Sequence, residues 1–271
     1  MKTFLPTRGV VTLAAFAASA AIGGTAAASL VIDDFTSAGS PGANGSNYFG
    51  LGTFSPGVSG GNYMGSRLLC TNMDLANGTA TGTMAGNGQF VASVATTSPW
   101  GDTQLISQYL FSSSVDMTNS TTNTVYVSGS GTASGGGSYV DPYDGETYFS
   151  AGYGIGVCVL TGATTTGTWD DRMWLQFNMG GTQSLGNFAF TLADLQASVA
   201  AGNRDGGTGT FDFANVNAVF FYQYAYGNYE IAGIDNGTWN YTATGFSFVP
   251  APGALALLGA AGMIGGTRRR R

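Results

Sequence analysis

Histidine is absent from all 271 residues, which removes the usual general base at neutral pH, the Ser-His-Asp and Cys-His arrangements, and the commonest zinc ligand. Cysteine is nearly absent as well. Cys70 and Cys158 are candidates for a single disulfide, with two buried unpaired thiols in adjacent core strands as the alternative. Charge is scarce at 9%, and cations are scarcer still. Of nine basic residues, Lys2 and Arg8 lie near the N-terminus and Arg268, Arg269, Arg270 and Arg271 close the chain. Only Arg67, Arg172 and Arg204 remain in the body beside all fifteen acidic residues, and three minus fifteen gives the body a net charge of about −12. A body without lysine cannot neutralise phosphates, which argues against nucleic acid and against docking on anionic lipid headgroups. Divalent cations and uncharged sugars remain as partners.

Glycine is plentiful instead. The 44 glycines, the many Ser, Thr and Asn residues and an aromatic content of 13% predict short strands joined by tight turns, because Gly and Asn supply the positive φ that such turns require. Strands are expected at Ser29–Phe35, Ser66–Met73, Thr79–Met84, Gln89–Ala95, Thr103–Phe111, Asn123–Ser130, Tyr148–Leu160, Arg172–Met179, Val216–Tyr224, Tyr229–Ile234 and Thr238–Phe248. One helix is expected after Thr191, where Thr191 and Asp194 form a capping box, Leu192, Leu195 and Val199 share a face, and Gly202 suits the stop. About ten strands at irregular spacing with one short helix predict an all-β, two-sheet sandwich and not a propeller, whose blades would repeat.

Both ends read as processing segments. Lys2 and Arg8 precede an apolar run from Val10 to Ile22, and Ala26-Ala27-Ala28 supplies small residues for cleavage before Ser29, so residues 1–28 form a signal peptide for signal peptidase. At the other end Val249-Pro250-Ala251-Pro252-Gly253 opens a nearly all-apolar stretch from Ala254 to Gly266, closed by the four arginines. That stretch is short for a transmembrane helix but spans a membrane when Ala251 and flanking residues are included and the arginines snorkel, and the positive-inside bias puts the arginines in the cytoplasm. Residues 249–271 resemble the PEP-CTERM sorting signal, also labelled the ice-binding protein C-terminal domain. Pro250 and Pro252 match its motif, and Ala251 stands in the glutamate position. The resemblance implies an exosortase that removes the tail and leaves the protein at the surface or outside the cell, often alongside exopolysaccharide. Ice binding itself is not implied, because no regular Thr-x-Thr ladder is evident.

The two ends of the region 29–248 resemble the jelly-roll sandwiches of the galactose-binding-like and carbohydrate-binding modules. The carrying residues are Ile32-Asp33-Asp34-Phe35, Gly65-Ser66-Arg67-Leu68-Leu69, the run Phe211 to Val219, and Ile231-Ala232-Gly233-Ile234-Asp235. The resemblance implies that the first and last strands pair within one sheet, with a structural calcium often held between them by Asp33 or Asp34 and Asp235. Clustered carboxylates in Asp141-Pro142-Tyr143-Asp144-Gly145-Glu146 form a second calcium candidate. Aromatics supply a candidate sugar platform: Tyr222, Tyr224 and Tyr226 alternate on one strand face, opposite Phe221 and Gln223, with Trp239 as a further stacking residue; the alternative is that the Phe220 side of the strand is its core face and the tyrosines are buried.

Paired carboxylates are the only catalytic hardware. Adjacent aspartates such as Asp33-Asp34 or Asp170-Asp171 point to opposite faces of a strand, and no enzyme activity is expected. The sequence reads as a surface or matrix protein that binds a polysaccharide, against a purely structural envelope protein and, more remotely, a glycoside hydrolase.

Overall fold

The computed structural model describes residues 29–39, 42–43, 65–73, 78–96, 102–135, 138–140, 145, 147–149, 152–164, 168–226 and 237–251. Seventeen strands and one helix follow in order. They are β1 (Leu30–Asp33), β2 (Ala38–Gly39), β3 (Gly42–Ala43), β4 (Gly65–Met73), β5 (Gly78–Ala85), β6 (Phe90–Thr96), β7 (Asp102–Val115) and β8 (Thr124–Ser134). Then come β9 (Ser138–Val140), β10 (Thr147–Phe149), β11 (Gly152–Thr161), β12 (Asp171–Met179), β13 (Gln183–Leu185) and β14 (Phe188–Thr191). The helix α1 (Leu192–Ala200) precedes β15 (Arg204–Gly206), β16 (Val216–Tyr226) and β17 (Thr238–Val249).

Two sheets pack face to face as a jelly-roll sandwich, and β9 and β10 form a separate hairpin. The eight-stranded sheet runs β13-β8-β17-β6-β5-β2, with β1 beyond β6 along β17 and β14 beyond β13 along β8. The seven-stranded sheet runs β15-β12-β11-β16-β7-β4-β3. Every pairing is antiparallel except β3 with β4. The first and last strands pair as the jelly-roll resemblance implies, Leu30 opposite Phe248.

Period-2 alternation explains the core. Along β17, Trp239, Tyr241, Ala243, Phe246 and Phe248 are buried while the intervening residues are not. The switch in parity between Ala243 and Phe246 is absorbed by a bulge between Ala243 and Gly245. The adjacent β6 contributes Phe90 and Val94 and the facing sheet contributes Tyr109, Tyr153, Ile155 and Phe221, and the Phe90 and Phe221 rings meet edge to face at 90°. Trp239 Nε1 donates to Gln223 Oε1 at 2.6 Å inside this core, a polar link from β17 of one sheet to β16 of the other.

The helix forms where the capping box predicts. Asp194 N–H donates to Thr191 Oγ1 at 3.2 Å and Thr191 N–H donates to Asp194 Oδ2 at 3.1 Å. Gly202, at φ 87°, follows the C-cap Ala201. Leu195 is buried and Leu192 and Val199 pack against the core, so α1 closes the sandwich beside β12 and β14.

The linear reading departs from the structure at two kinds of place. The expected strand 148–160 is two strands, β10 and β11, in different sheets. The short strands β2, β3, β9, β13, β14 and β15 hold too few residues to show a period. The expected strand 229–234 lies outside the described residues.

Candidate functional site

The seven-stranded sheet has a second apolar cluster on the face turned away from the sandwich interior. On β16, Phe221 joins the inter-sheet core while Phe220, Tyr222 and Tyr224 belong to this outer cluster with Ile106, Leu110, Cys158 and Leu160. The two tyrosines stand directly opposite glycines of β11, Gly156 facing Tyr222 and Gly154 facing Tyr224. A Cβ on Gly156 would lie 2.3 Å from Tyr222 Cζ, and one on Gly154 2.3 Å from Tyr224 Oη. The rings therefore lie flat across β11 toward β12, where Tyr224 Oη donates to the Phe177 carbonyl at 3.0 Å and Tyr222 Oη to Gln176 Oε1 at 3.3 Å.

Tyr222 and Tyr224 are 1% and 4% exposed, which leaves neither ring a free face for a sugar to stack on. Trp239 does not join them, contrary to expectation. It sits in the other sheet and points inward, because the alternation of β17 puts Trp239 and Tyr241 on the core side. Tyr226 ends β16, with its side chain outside the description.

The remaining sequence candidates are held apart or are already engaged. Asp33 is fully buried, its Oδ1 accepting from Phe35 N–H at 2.8 Å and its Oδ2 from Tyr109 Oη at 2.9 Å. These bonds stabilise the turn in which Phe35 takes φ 56°. Asp34 accepts from the backbone N–H and the hydroxyl of Thr36. Both carboxylates thus take part in that turn. Asp141, Asp144, Glu146 and Asp235 lie outside the described residues, among which no group of three acidic, Cys or His residues could hold a metal. Asp171 is paired with Arg204, and Arg172 with Asp205 at 2.7 Å while lying over the Trp169 ring.

The proposed disulfide is corrected by topology. β16 and β7 stand between β11, which carries Cys158, and β4, which carries Cys70. Three strand intervals put the two backbones about 14 Å apart, more than twice the roughly 6 Å that a disulfide spans. Cys158 is a free, buried thiol whose pKa burial pushes up to about 12 against the opposing pull of the Arg172 charge, so it is inert as a nucleophile.

The outward face of the eight-stranded sheet is different in kind. Across its eight strands the only charged residue is Asp33, which is buried. Outward positions are mostly hydroxyl-bearing or small, with Asn240 and Val91 as exceptions, and the registers stack them in rows. One row runs Thr81, Ser93, Asn240, Thr132, Ser184 over β5, β6, β17, β8 and β13. Its neighbours run Thr83, Val91, Thr242, Ser130 and Thr79, Ala95, Thr238, Ser134. Within the face Ser93 donates to Asn240 Oδ1 at 2.8 Å, and the hydroxyls of Ser134 and Thr238 share a bond of 2.6 Å. A shallow groove of ≈ 500 Å³ follows the middle row, lined by residues 91–93, 130–132, 184–185 and 240–242.

No family model and no curated protein sequence matches this chain. Solved structures do. The family 11 carbohydrate-binding module of the cellulosomal cellulase Lic26A-Cel5E of Clostridium thermocellum overlaps 83% of this chain and 96% of its own, at 10% identity and a TM-score of 0.35. The same organism's family 11 module in complex with a β-1,3-1,4-mixed-linked tetrasaccharide overlaps 68% of this chain and 84% of its own, at 11% identity and a TM-score of 0.32. At that level of overlap no ligand contact transfers from either structure to this chain.

The functional candidates that the linear reading passed over are therefore hydroxyls. Thr79, Thr81 and Thr83 form a short Thr-x-Thr ladder on β5, all three exposed. That ladder is confined to one strand, because on the neighbouring strands the same three rows carry Ser, Ala, Val and Asn as well as Thr.

Proposed function

We propose that this chain is an exported, non-catalytic protein of the bacterial surface or extracellular matrix that binds uncharged polysaccharide. The observation that carries the reading is the charge-free, hydroxyl-rich outer face of the eight-stranded sheet, whose donors and acceptors match those of neutral sugars and repel neither. Arg172 and Arg204 are each engaged by an aspartate, which leaves neither of them to hold an anionic polymer. The same pairing removes Asp171 from general acid or base work, and the chain has no histidine.

Export through the N-terminal leader and sorting through the tail by an exosortase complete the proposal. β17 runs to Val249, Pro250 is buried, and Ala251 N–H donates to Asn123 Oδ1 at 2.7 Å. The sandwich thus runs directly into Val249–Ala251, the start of the proposed sorting motif. Mass spectrometry of the native protein is expected to find an N-terminus near Ser29 and a C-terminus just beyond Ala251, and an intact arginine end would remove the sorting step. A structural calcium in the loop from Asp141 to Glu146 belongs to the same proposal. A melting temperature unmoved by EDTA would dismiss it.

Binding is tested on a glycan array together with affinity electrophoresis through neutral and anionic polysaccharides. Retardation by neutral polymers, unchanged by salt, is the expected result. Absence of saturable binding to any neutral glycan would instead make the domain a structural matrix protein.

A further inference from the structure

We infer that the groove along Ser93, Asn240, Thr132 and Ser184, with Thr81 continuing the row beyond its end, is a site for a single extended, neutral, β-linked glycan chain lying across the strands, one sugar per strand interval. The inference rests on the glycan-binding reading and adds the site, the direction and the ligand class.

The groove runs across the sheet: its lining comes from β6, β17, β8 and β13, four strands in hydrogen-bonded sequence. A ligand lying along it meets one polar side chain per strand, at about 4.8 Å intervals, a repeat close to the advance of one pyranose unit in an extended chain. From Ser93 to Ser184 is three intervals, or about 14 Å, and Thr81 extends the row by one interval more. A ligand along the strands would instead meet side chains about 6.8 Å apart and would leave the groove.

Chemistry narrows the occupant further. Asn240 sits at the centre, and because its Oδ1 already accepts from Ser93, its Nδ2 hydrogens face solvent as fixed donors. Thr132, in direct register with Asn240, and Ser184, in register with Thr132, are exposed hydroxyls that donate or accept. Val91, 48% exposed and the most exposed large apolar residue described, offers an apolar wall beside this row for the C–H face of a ring. No charge lies in the lining, so nothing there compensates a uronate or a phosphate, and the net negative body repels both.

Such contacts exchange water hydrogen bonds for ligand ones and are individually weak. Affinity should therefore grow with chain length until the row is filled. Calorimetry of the full domain with β-linked gluco-oligosaccharides from disaccharide to hexasaccharide is expected to show affinity rising to the tetrasaccharide or pentasaccharide and then levelling. Asn240→Ala should weaken binding roughly threefold to tenfold, and Thr132→Arg, which fills the groove from an exposed position, should abolish it. Thr208→Arg, on an exposed turn after β15, should change nothing. Circular dichroism checks that each variant is folded. Oligosaccharide binding that survives both groove variants would overturn this site while leaving glycan binding intact. A wild-type domain that binds no neutral glycan would overturn both.

Discussion

Gly154 and Gly156 hold a strand interior without side chains, which ordinarily weakens a strand, and here the opposite tyrosines fill the space. The cost of upsetting this arrangement can be read from the contacts. A Cβ on Gly154 would lie 2.1 Å from the Phe177 carbonyl oxygen as well as against the Tyr224 ring, and a backbone atom in a paired strand cannot yield as a free side-chain end would. Gly154→Ala is expected to lower stability by about 1–3 kcal/mol, seen as a reduced urea midpoint. Gly186→Ala, which would meet nothing within 4 Å, should leave the midpoint nearly unchanged. The alternation Gly154-Ile155-Gly156 against Tyr222-Gln223-Tyr224 is present in the sequence. Its meaning appears only when the register sets the two runs opposite each other.

Elements differ in how far they announce themselves. α1 is specified locally: Thr191 and Asp194 satisfy each other's backbone donors, and removal of the cap acts on this element alone. Thr191→Ala is expected to cost about 1 kcal/mol, measured by chemical denaturation, with earlier hydrogen exchange in the first turn of α1. β16 was also legible as a strand, and its two faces were sorted correctly into Phe221 and Gln223 against Phe220, Tyr222 and Tyr224. Which face looked inward was not legible, because β11 and β16 are buried on both sides and alternation then distinguishes nothing. Trp239 was misplaced for a related reason. A tryptophan among Thr and Asn reads as a surface ring, yet its indole N–H is satisfied inside the core by Gln223, a partner sixteen residues away on the opposite sheet.

At the scale of the whole molecule the missing histidine shapes the pH response. No side chain has an ordinary pKa between about pH 6 and 8, so stability should be flat there. Burial raises the pKa of Cys158 to about 12 and also raises those of Tyr126, Tyr153 and Tyr241. At alkaline pH the folded chain then binds more protons than the unfolded one, and stability falls as pH climbs from about 8.5, the ordinary thiol value, toward about 12. Urea midpoints followed by tryptophan fluorescence should show this slope. Cys158→Ala should flatten its first part, up to the ordinary tyrosine pKa of about 10. A fall that begins near pH 7 would contradict the assignment.

The sequence by itself determined the local and the compositional: an all-β chain, most long strands, the capped helix, and the shortage of cations and histidine. Tertiary structure alone decided which residues share a surface. Thr81, Ser93, Thr132, Ser184 and Asn240 come from five strands spread over some 160 residues and meet only through the registers of the eight-stranded sheet. Tyr222 and Tyr224, the residues a linear reading would choose for a sugar, are buried against glycines. Alternation along a strand defines two faces, but pairing between distant strands settles which face is covered and which meets solvent.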